Sequence, residues 1–402
     1  MTIRIPEEEV SGVKVRTITA LIAAGAFIVG CGSSSSSSTT SSATTSAAAS
    51  SGGASKSCAI SIGMEGPLTG PVAVLGQEQL AFAQLAVKDD NAANGTNISL
   101  VQGDTQLNPA QATTVTQQFI SNPKIVAVVG PAGSQEVLAT GPLFGRAGLA
   151  FISGSATNTT LTNGKNPTFF RVVSRDDVQG PEDARYVVAH LKPKALMIVD
   201  DQEAYSTGLV SSMIPVFKSA GISVDHESVS QKVTDFSSLV AKVTPNTTVV
   251  VLPWQVAANG QQFGKNLAEQ HKKAVIFGTD GLQSSSFTIP GSYVSAFGPD
   301  IKAIPADASI AAAAAQVYPK YGTFGPPVYA ATHVIDQAIA SVCKSGQTPT
   351  RANVLAAIKS TDEPTSILGQ PIKFDAHGDL VGAKWFLFKI NNQGKYVLVT
   401  NT

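Results

Sequence analysis

Ser134 stands where a negatively charged group could be held. It follows the apolar run Ile125–Val129 and the loop Gly130–Gly133, and it opens a stretch of helical spacing. A hydroxyl and free N–H groups at a helix N-terminus attract an anion, although the same position also serves as an ordinary cap. Ser155 and Thr157 follow the next apolar run, Leu149–Ser153, which brings them to the same end of the same sheet. No catalytic signature accompanies these hydroxyls: G-x-S-x-G, H-E-x-x-H, the Walker loop and G-x-G-x-x-G are all missing from the chain. The five histidines (His190, His226, His271, His333 and His377) show no metal-ligand spacing, and His190 and His271 fall near helix ends, where a cation suits the dipole. The expected chemistry is hydrogen bonding to a small solute, with no enzyme activity, metal or cofactor.

The elements that must position these residues read as alternating strands and helices. Strands are expected at Ala59–Met64, Ile98–Gln102, Ile125–Val129 and Leu149–Ser153, with helices at Gln77–Asn91, Pro109–Ser121 and from Ser134. The pattern then repeats. Helices are expected at Pro181–Leu191, Tyr205–Ala220, Phe236–Val243 and Val256–His271, and strands at Ala195–Val199, Ile222–Ser228, Thr248–Leu252 and Ala274–Phe277. Short apolar runs between amphipathic stretches mean parallel sheets covered on both faces. Two such α/β lobes would put the carboxyl ends of their strands on either side of a cleft, where such sheets bind ligands.

The N-terminus carries an export signal. Lys14 and Arg16 precede an uncharged run, Thr17–Val29, that is shorter than the about 20 apolar residues of a membrane span. It ends in Ile28-Val29-Gly30-Cys31, which resembles the bacterial lipobox. That motif implies a diacylglyceryl thioether on Cys31, cleavage before it at the end of a signal peptide spanning 1–30, and an acylated new N-terminus that anchors stably in the membrane. Glu7, Glu8 and Glu9 do not suit a basic n-region, whereas a start at Val13 would leave Lys14 and Arg16 alone, so initiation is expected there. Residues 33–57 are Ser, Thr, Ala and Gly with Lys56 as the one charge, a tether between Cys31 and the folded body. The 28 basic and 28 acidic residues balance, which gives no pull toward nucleic acid. Cys58 and Cys343 remain, candidates for one disulfide or for two buried thiols, since an exported compartment permits the bond.

The stretch IGMEGPLTGPVAVLGQEQLAFAQLAVKDDNAANG resembles the opening of the leucine/isoleucine/valine-type substrate-binding proteins of branched-chain amino-acid ABC transporters. VVGPAGSQEVLATGPLFGRAGLAFISGSAT, FFRVVSRDDVQGPEDARYV, IVDDQEAYSTGL, DFSSLVAKV, IFGTDGL and GQPIKFDAHGDLVGAKWFLFKI follow in that family's order, so the resemblance covers about 58–400. It implies the type I periplasmic binding protein fold: α/β, with two doubly wound parallel-sheet lobes joined by three crossovers. Lobe one would take 58–175 with 304–382, and lobe two 176–303 with 383–402. A helix at Val328–Val342 would return to lobe one, placing Cys343 in the same lobe as Cys58, so a bridge between them is expected.

The resemblance also implies a ligand set. Ser134, Ser155, Ala156 and Thr157 would hold an amino-acid carboxylate with hydroxyls and N–H groups; Asp280 would take the ammonium, and Tyr205 would cover the ligand. Asp280 read alone is a turn residue before Gly281. Two departures bear on the ligand: Leu75 stands where some relatives place an aromatic residue, and around LPWQVAANG the spacing slips by about one residue, so Trp254 would line the pocket or only lie near it. The expectation is a lipid-anchored protein on the outer face of the cytoplasmic membrane. It captures a small, branched-chain-like amino acid and delivers it to ABC permease and ATPase subunits. Transport of an amide, urea or aromatic acid is one alternative, and a ligand-sensing domain of the same fold is another.

Overall fold

The computed structural model describes residues 58–401. Cys31 and the tether lie outside the described residues. The first lobe is built from β1 (Ala59–Gly66), α1 (Ala73–Asn94), β2 (Asn97–Asp104), α2 (Pro109–Ser121), β3 (Ile125–Val129), α3 (Ser134–Arg146), β4 (Ala150–Ser153) and β5 (Phe169–Arg171). Its five strands are parallel in the order β2-β1-β3-β4-β5. All five residues of β3 are buried, as a strand covered on both faces requires. Local signals set the helix ends. Asn108 caps α2 by accepting from the N–H groups of Ala110 and Gln111, with Pro109 at the first position, and Gly95 closes α1 in the left-handed conformation.

The chain then crosses into a second sheet. Its elements are α4 (Asp176–Tyr186, continued by a π turn over Val187–Leu191), β6 (Ala195–Asp200), α5 (Ala204–Ser219), β7 (Ser223–Ser228), α6 (Ser237–Ala241), β8 (Thr247–Leu252), α7 (Ala257–Glu269), β9 (Val275–Gly278) and β10 (Tyr293–Ala296). The parallel part runs β7-β6-β8-β9-β10, the same order as in the first sheet. The helix expected at Pro181 begins five residues earlier, at Asp176. Asp176 and Asp177 in the first turn suit the positive end of the helix, and Pro181 sits inside it.

A second crossover leads through α8 (Ala308–Val317) to α9 (Gly325–Lys344), α10 (Arg351–Lys359) and the small antiparallel pair β11 (Asp362–Glu363) and β12 (Ile372–Lys373). The buried residues Ile335 and Ile339 of α9 join the core formed by Leu80 and Phe82 of α1 and Ile62 of β1. A third crossover returns the chain to the second sheet as the antiparallel strands β13 (Phe386–Ile390) and β14 (Tyr396–Asn401). Cys58, just before β1, is bonded to Cys343 near the end of α9, with their Cα atoms 6.1 Å apart. Among the described residues no helix is long and apolar enough to cross a membrane, and no group of three His, Cys, Asp or Glu side chains is placed to hold a metal ion.

Candidate functional site

The carboxyl ends of the two sheets face each other and touch. Asn158 Nδ2 donates to the carbonyl of Ala204 at 2.6 Å, Gln135 Nε2 donates to Gln255 Oε1 at 2.9 Å, and Gln283 Oε1 accepts from the N–H and hydroxyl of Thr323. Each pair joins a residue of the first lobe to one of the second.

On the first lobe, the turn after β3 is tight. Gly130 has φ of 102°, and a Cβ there would lie 2.0 Å from the carbonyl oxygen of Glu65, so only glycine fits. Glu136 ties off the start of α3 by accepting the Gly133 N–H at 2.7 Å. Ser134 therefore does not cap its own helix. It is 1 % exposed, and its Oγ accepts the Asn158 N–H at 3.2 Å, which leaves its hydroxyl hydrogen to donate.

The loop after β4 is held from behind. Arg171, fully buried, pairs with Asp379 at 2.6 Å and donates to the carbonyls of Ala156 and Asn158. Ser155 is spent on this loop: its hydroxyl donates to the Ala132 carbonyl and accepts from Gln79. The Ala156 N–H goes to Ser153 Oγ. Thr157 differs. It is fully buried, and its Oγ1 makes no hydrogen bond.

On the second lobe, Tyr205 lies in the first turn of α5 and Asp280 follows β9. The Tyr205 hydroxyl donates to Asp280 Oδ1 at 2.8 Å, accepts the Gly281 N–H at 3.1 Å and lies 2.6 Å from Thr279 Oγ1. Gln179 Nε2 donates to the same Asp280 oxygen at 2.6 Å. Burial raises the Asp280 carboxyl to about 7, although the Gln179 and Tyr205 donors pull it back down.

The structure adds a residue that the sequence reading did not select. Asp176, the first residue of α4, is 1 % exposed, and its carboxylate is paired with no cation among the described residues. Burial and the neighbouring Asp280 raise its carboxyl to about 8, while Thr157 and Arg171 act in the opposite sense. Its backbone N–H donates to the Thr157 carbonyl at 2.9 Å. A Cβ on Gly208 of α5 would come within 2.2 Å of Asp176 Oδ2, so the absence of a side chain there makes room for the carboxylate. Gln179 Oε1 is also unpaired. The site thus holds an excess of buried acceptors, and the nearby guanidinium of Arg171 is engaged elsewhere. An unpaired buried carboxylate is costly. What is missing is a donor-rich, positively charged group.

Trp254, expected to line the pocket or only to lie near it, is buried. Its indole N–H donates to the Val199 carbonyl at 2.8 Å, and its rings pack on Phe236 and Phe263 in the core of the second lobe. The next residue, Gln255, reaches the other lobe instead. A cavity of about 680 Å³ is lined by residues that include Leu75, Gln255, Phe324 and Gly281, the neighbour of Asp280.

A hydroxyl at a buried helix start, a second in the loop after β4 and two buried carboxyls without a cation thus come together between the two sheets. The chain as a whole is similar to known proteins. The chain is 27% identical to an amino acid binding protein of Pseudomonas aeruginosa over 84% of this chain and 91% of that one. It is also 27% identical to the Leu/Ile/Val-binding protein BraC3 of Rhizobium johnstonii, over 82% and 91%. Among solved structures, the branched-chain amino acid transporter substrate binding protein LivJ of Streptococcus pneumoniae, in complex with isoleucine, superposes with a TM-score of 0.76 at 25% identity, covering 85% of this chain and 99% of that one. The profile of the family described as periplasmic binding protein matches residues 59–395, which is nearly all of the described chain, and the protein belongs to that family, with the type I fold.

Proposed function

We propose that this protein is an extracytoplasmic lipoprotein, anchored through Cys31, that closes on a small branched-chain-like amino acid and hands it to an ABC permease and its ATPase. The observation that supports this most is the proximity of two buried carboxyls, Asp280 and Asp176, neither of which is paired with a cation among the described residues. A ligand ammonium supplies the positive charge that neither Asp280 nor Asp176 is paired with, and its carboxylate can meet the Ser134 hydroxyl and the start of α3. Thr157 Oγ1 completes the set. Closure then follows from the ligand's higher affinity for the closed arrangement, in which both lobes contribute contacts. BraC3 is described as Leu/Ile/Val-binding and LivJ is in complex with isoleucine, which agrees with this reading. Mass spectrometry of the ligand carried through purification, with thermal-shift titration of the twenty common amino acids, tests it. An aliphatic amino acid should be recovered and should raise the melting temperature. Recovery of an amide or an aromatic acid lacking an ammonium would replace the amino acid as cargo.

A further inference from the structure

We propose that Asp183 is a positioning residue for the Asp280 carboxylate, acting through Ser295 and Gln179, and that the same chain of bonds couples Asp280 to Trp385 at the third crossover. The inference rests on the reading of Asp280 as the partner of the ligand's ammonium. Gln179 and Asp183 lie four residues apart on α4, so they share one face of it. The amide nitrogen of Gln179 carries two hydrogens. One goes to Asp280 Oδ1 at 2.6 Å and the other to Ser295 Oγ of β10 at 3.1 Å. The Ser295 hydroxyl in turn donates to Asp183 Oδ2 at 2.9 Å. The indole N–H of Trp385 donates to Asp183 Oδ1 at 2.8 Å. Trp385 stands directly before β13, where the chain re-enters the second lobe.

Each member fixes the next. Asp183 gives the Ser295 hydroxyl an acceptor, which leaves the Ser295 oxygen to accept from Gln179. That turns the amide nitrogen of Gln179, and not its oxygen, toward Asp280. None of the five side chains is more than 3 % exposed, so bulk water does not compete for these bonds. Burial raises the Asp183 carboxyl, the Trp385 and Ser295 donors pull it back down, and Asp280 raises it again together with Glu182. The two buried acids therefore feel each other. An ammonium placed on Asp280 changes the charge that Asp183 meets, in surroundings where a hydrogen-bonded chain transmits such a change.

The chain has two tryptophans, so magnetic resonance of the isotope-labelled protein can follow the Trp385 indole N–H, identified by its loss in Trp385→Phe. Leucine should move this resonance in wild type, and the shift should be lost in Ser295→Ala. Asp183→Ala should weaken leucine binding about tenfold in calorimetric titration. In the ligand-free protein, Asp280→Asn should move the Trp385 resonance when Ser295 is present and leave it in place in the Ser295→Ala background. Ser295→Cys and Asp183→Asn keep the shapes and weaken the bonds; they replace any alanine variant that does not fold, with the same direction expected. Leucine binding that leaves Trp385 unmoved, or a shift that survives loss of the Ser295 hydroxyl, overturns the coupling while the amino-acid reading stands. Unchanged leucine affinity in the Asp183 variant overturns the positioning role in the same way. If neither leucine nor any other common amino acid binds wild type, yet the Asp280→Asn shift depends on Ser295, the coupling stands and the amino-acid reading falls. If neither effect is seen, both are overturned.

Discussion

Asp280 and Asp176 are acids held where water cannot solvate their charge. Both carboxyls are raised, to about 7 and about 8, with burial the largest cause. The sign of the linkage follows. A carboxyl raised in the folded state adds stability that is fully present below its unfolded value near 4 and is lost as pH rises through 7 to 8. The ligand-free protein should therefore be more stable at pH 5 than at pH 8 as far as these two groups decide it, which thermal denaturation across that window would show. An ammonium ligand favours the charged carboxylates, so binding at pH 6 should release protons. Titration in two buffers of different ionisation enthalpy reads the number; proton uptake would contradict the assignment. Removing one partner of a buried pair costs about 3–5 kcal/mol, so Asp280→Ala should lower amino-acid affinity by roughly two to four decades. Ser134→Ala removes one charge-assisted bond and should cost about 1.5–3 kcal/mol in the same titration.

At the scale of elements, much was legible. The period of apolar residues located β3 and α2 to the residue, because both have clean caps or an unbroken apolar run. Phe169–Arg171 and Tyr293–Ala296 went unread as strands, since three or four residues carry too little periodicity to stand out. Trp254 illustrates a signal that was present but not used. It continues the alternation of Val250 and Leu252, which face the same core. Its ring therefore turns inward and Gln255 turns to the cleft. Asp176 had no comparable signal. In the sequence it matches Asp177 beside it, whose side chain is 43 % exposed, and only the approach of α5 at Gly208 distinguishes the two. That approach is testable. Gly208→Ala places a Cβ 2.2 Å from Asp176 Oδ2 and 2.5 Å from Asn158 Nδ2. Overpacking of this kind costs about 1–3 kcal/mol, to be seen in chemical denaturation together with weakened binding. Unchanged stability and affinity would mean that α5 does not press on the carboxylate.

At the scale of the whole molecule, two sheets whose parallel parts share one strand order are joined by three crossovers and meet at their carboxyl ends. The bond between Cys58 and Cys343 closes a separation of 285 residues within the first lobe. In the chain-entropy model its loss should destabilise by about 5 kcal/mol, an upper figure, and the Cys58→Ser, Cys343→Ser variant under denaturant measures it. Thiol labelling of the denatured, unreduced protein should find neither cysteine free. Replacing Cys31 with Ala should move the protein from the membrane fraction to the soluble one, and a variant that stays membrane-bound would contradict the proposed anchor. The central claim is that an ammonium is held between the lobes. Calorimetric titration of wild type and Asp280→Ala with leucine and with its deaminated analogue, 4-methylpentanoate, tests it most directly. The account predicts that leucine binds wild type, that the analogue binds at least about a hundredfold more weakly, and that Asp280→Ala loses most of this discrimination. Equal binding of both compounds to wild type, with Asp280→Ala binding them normally, would contradict it.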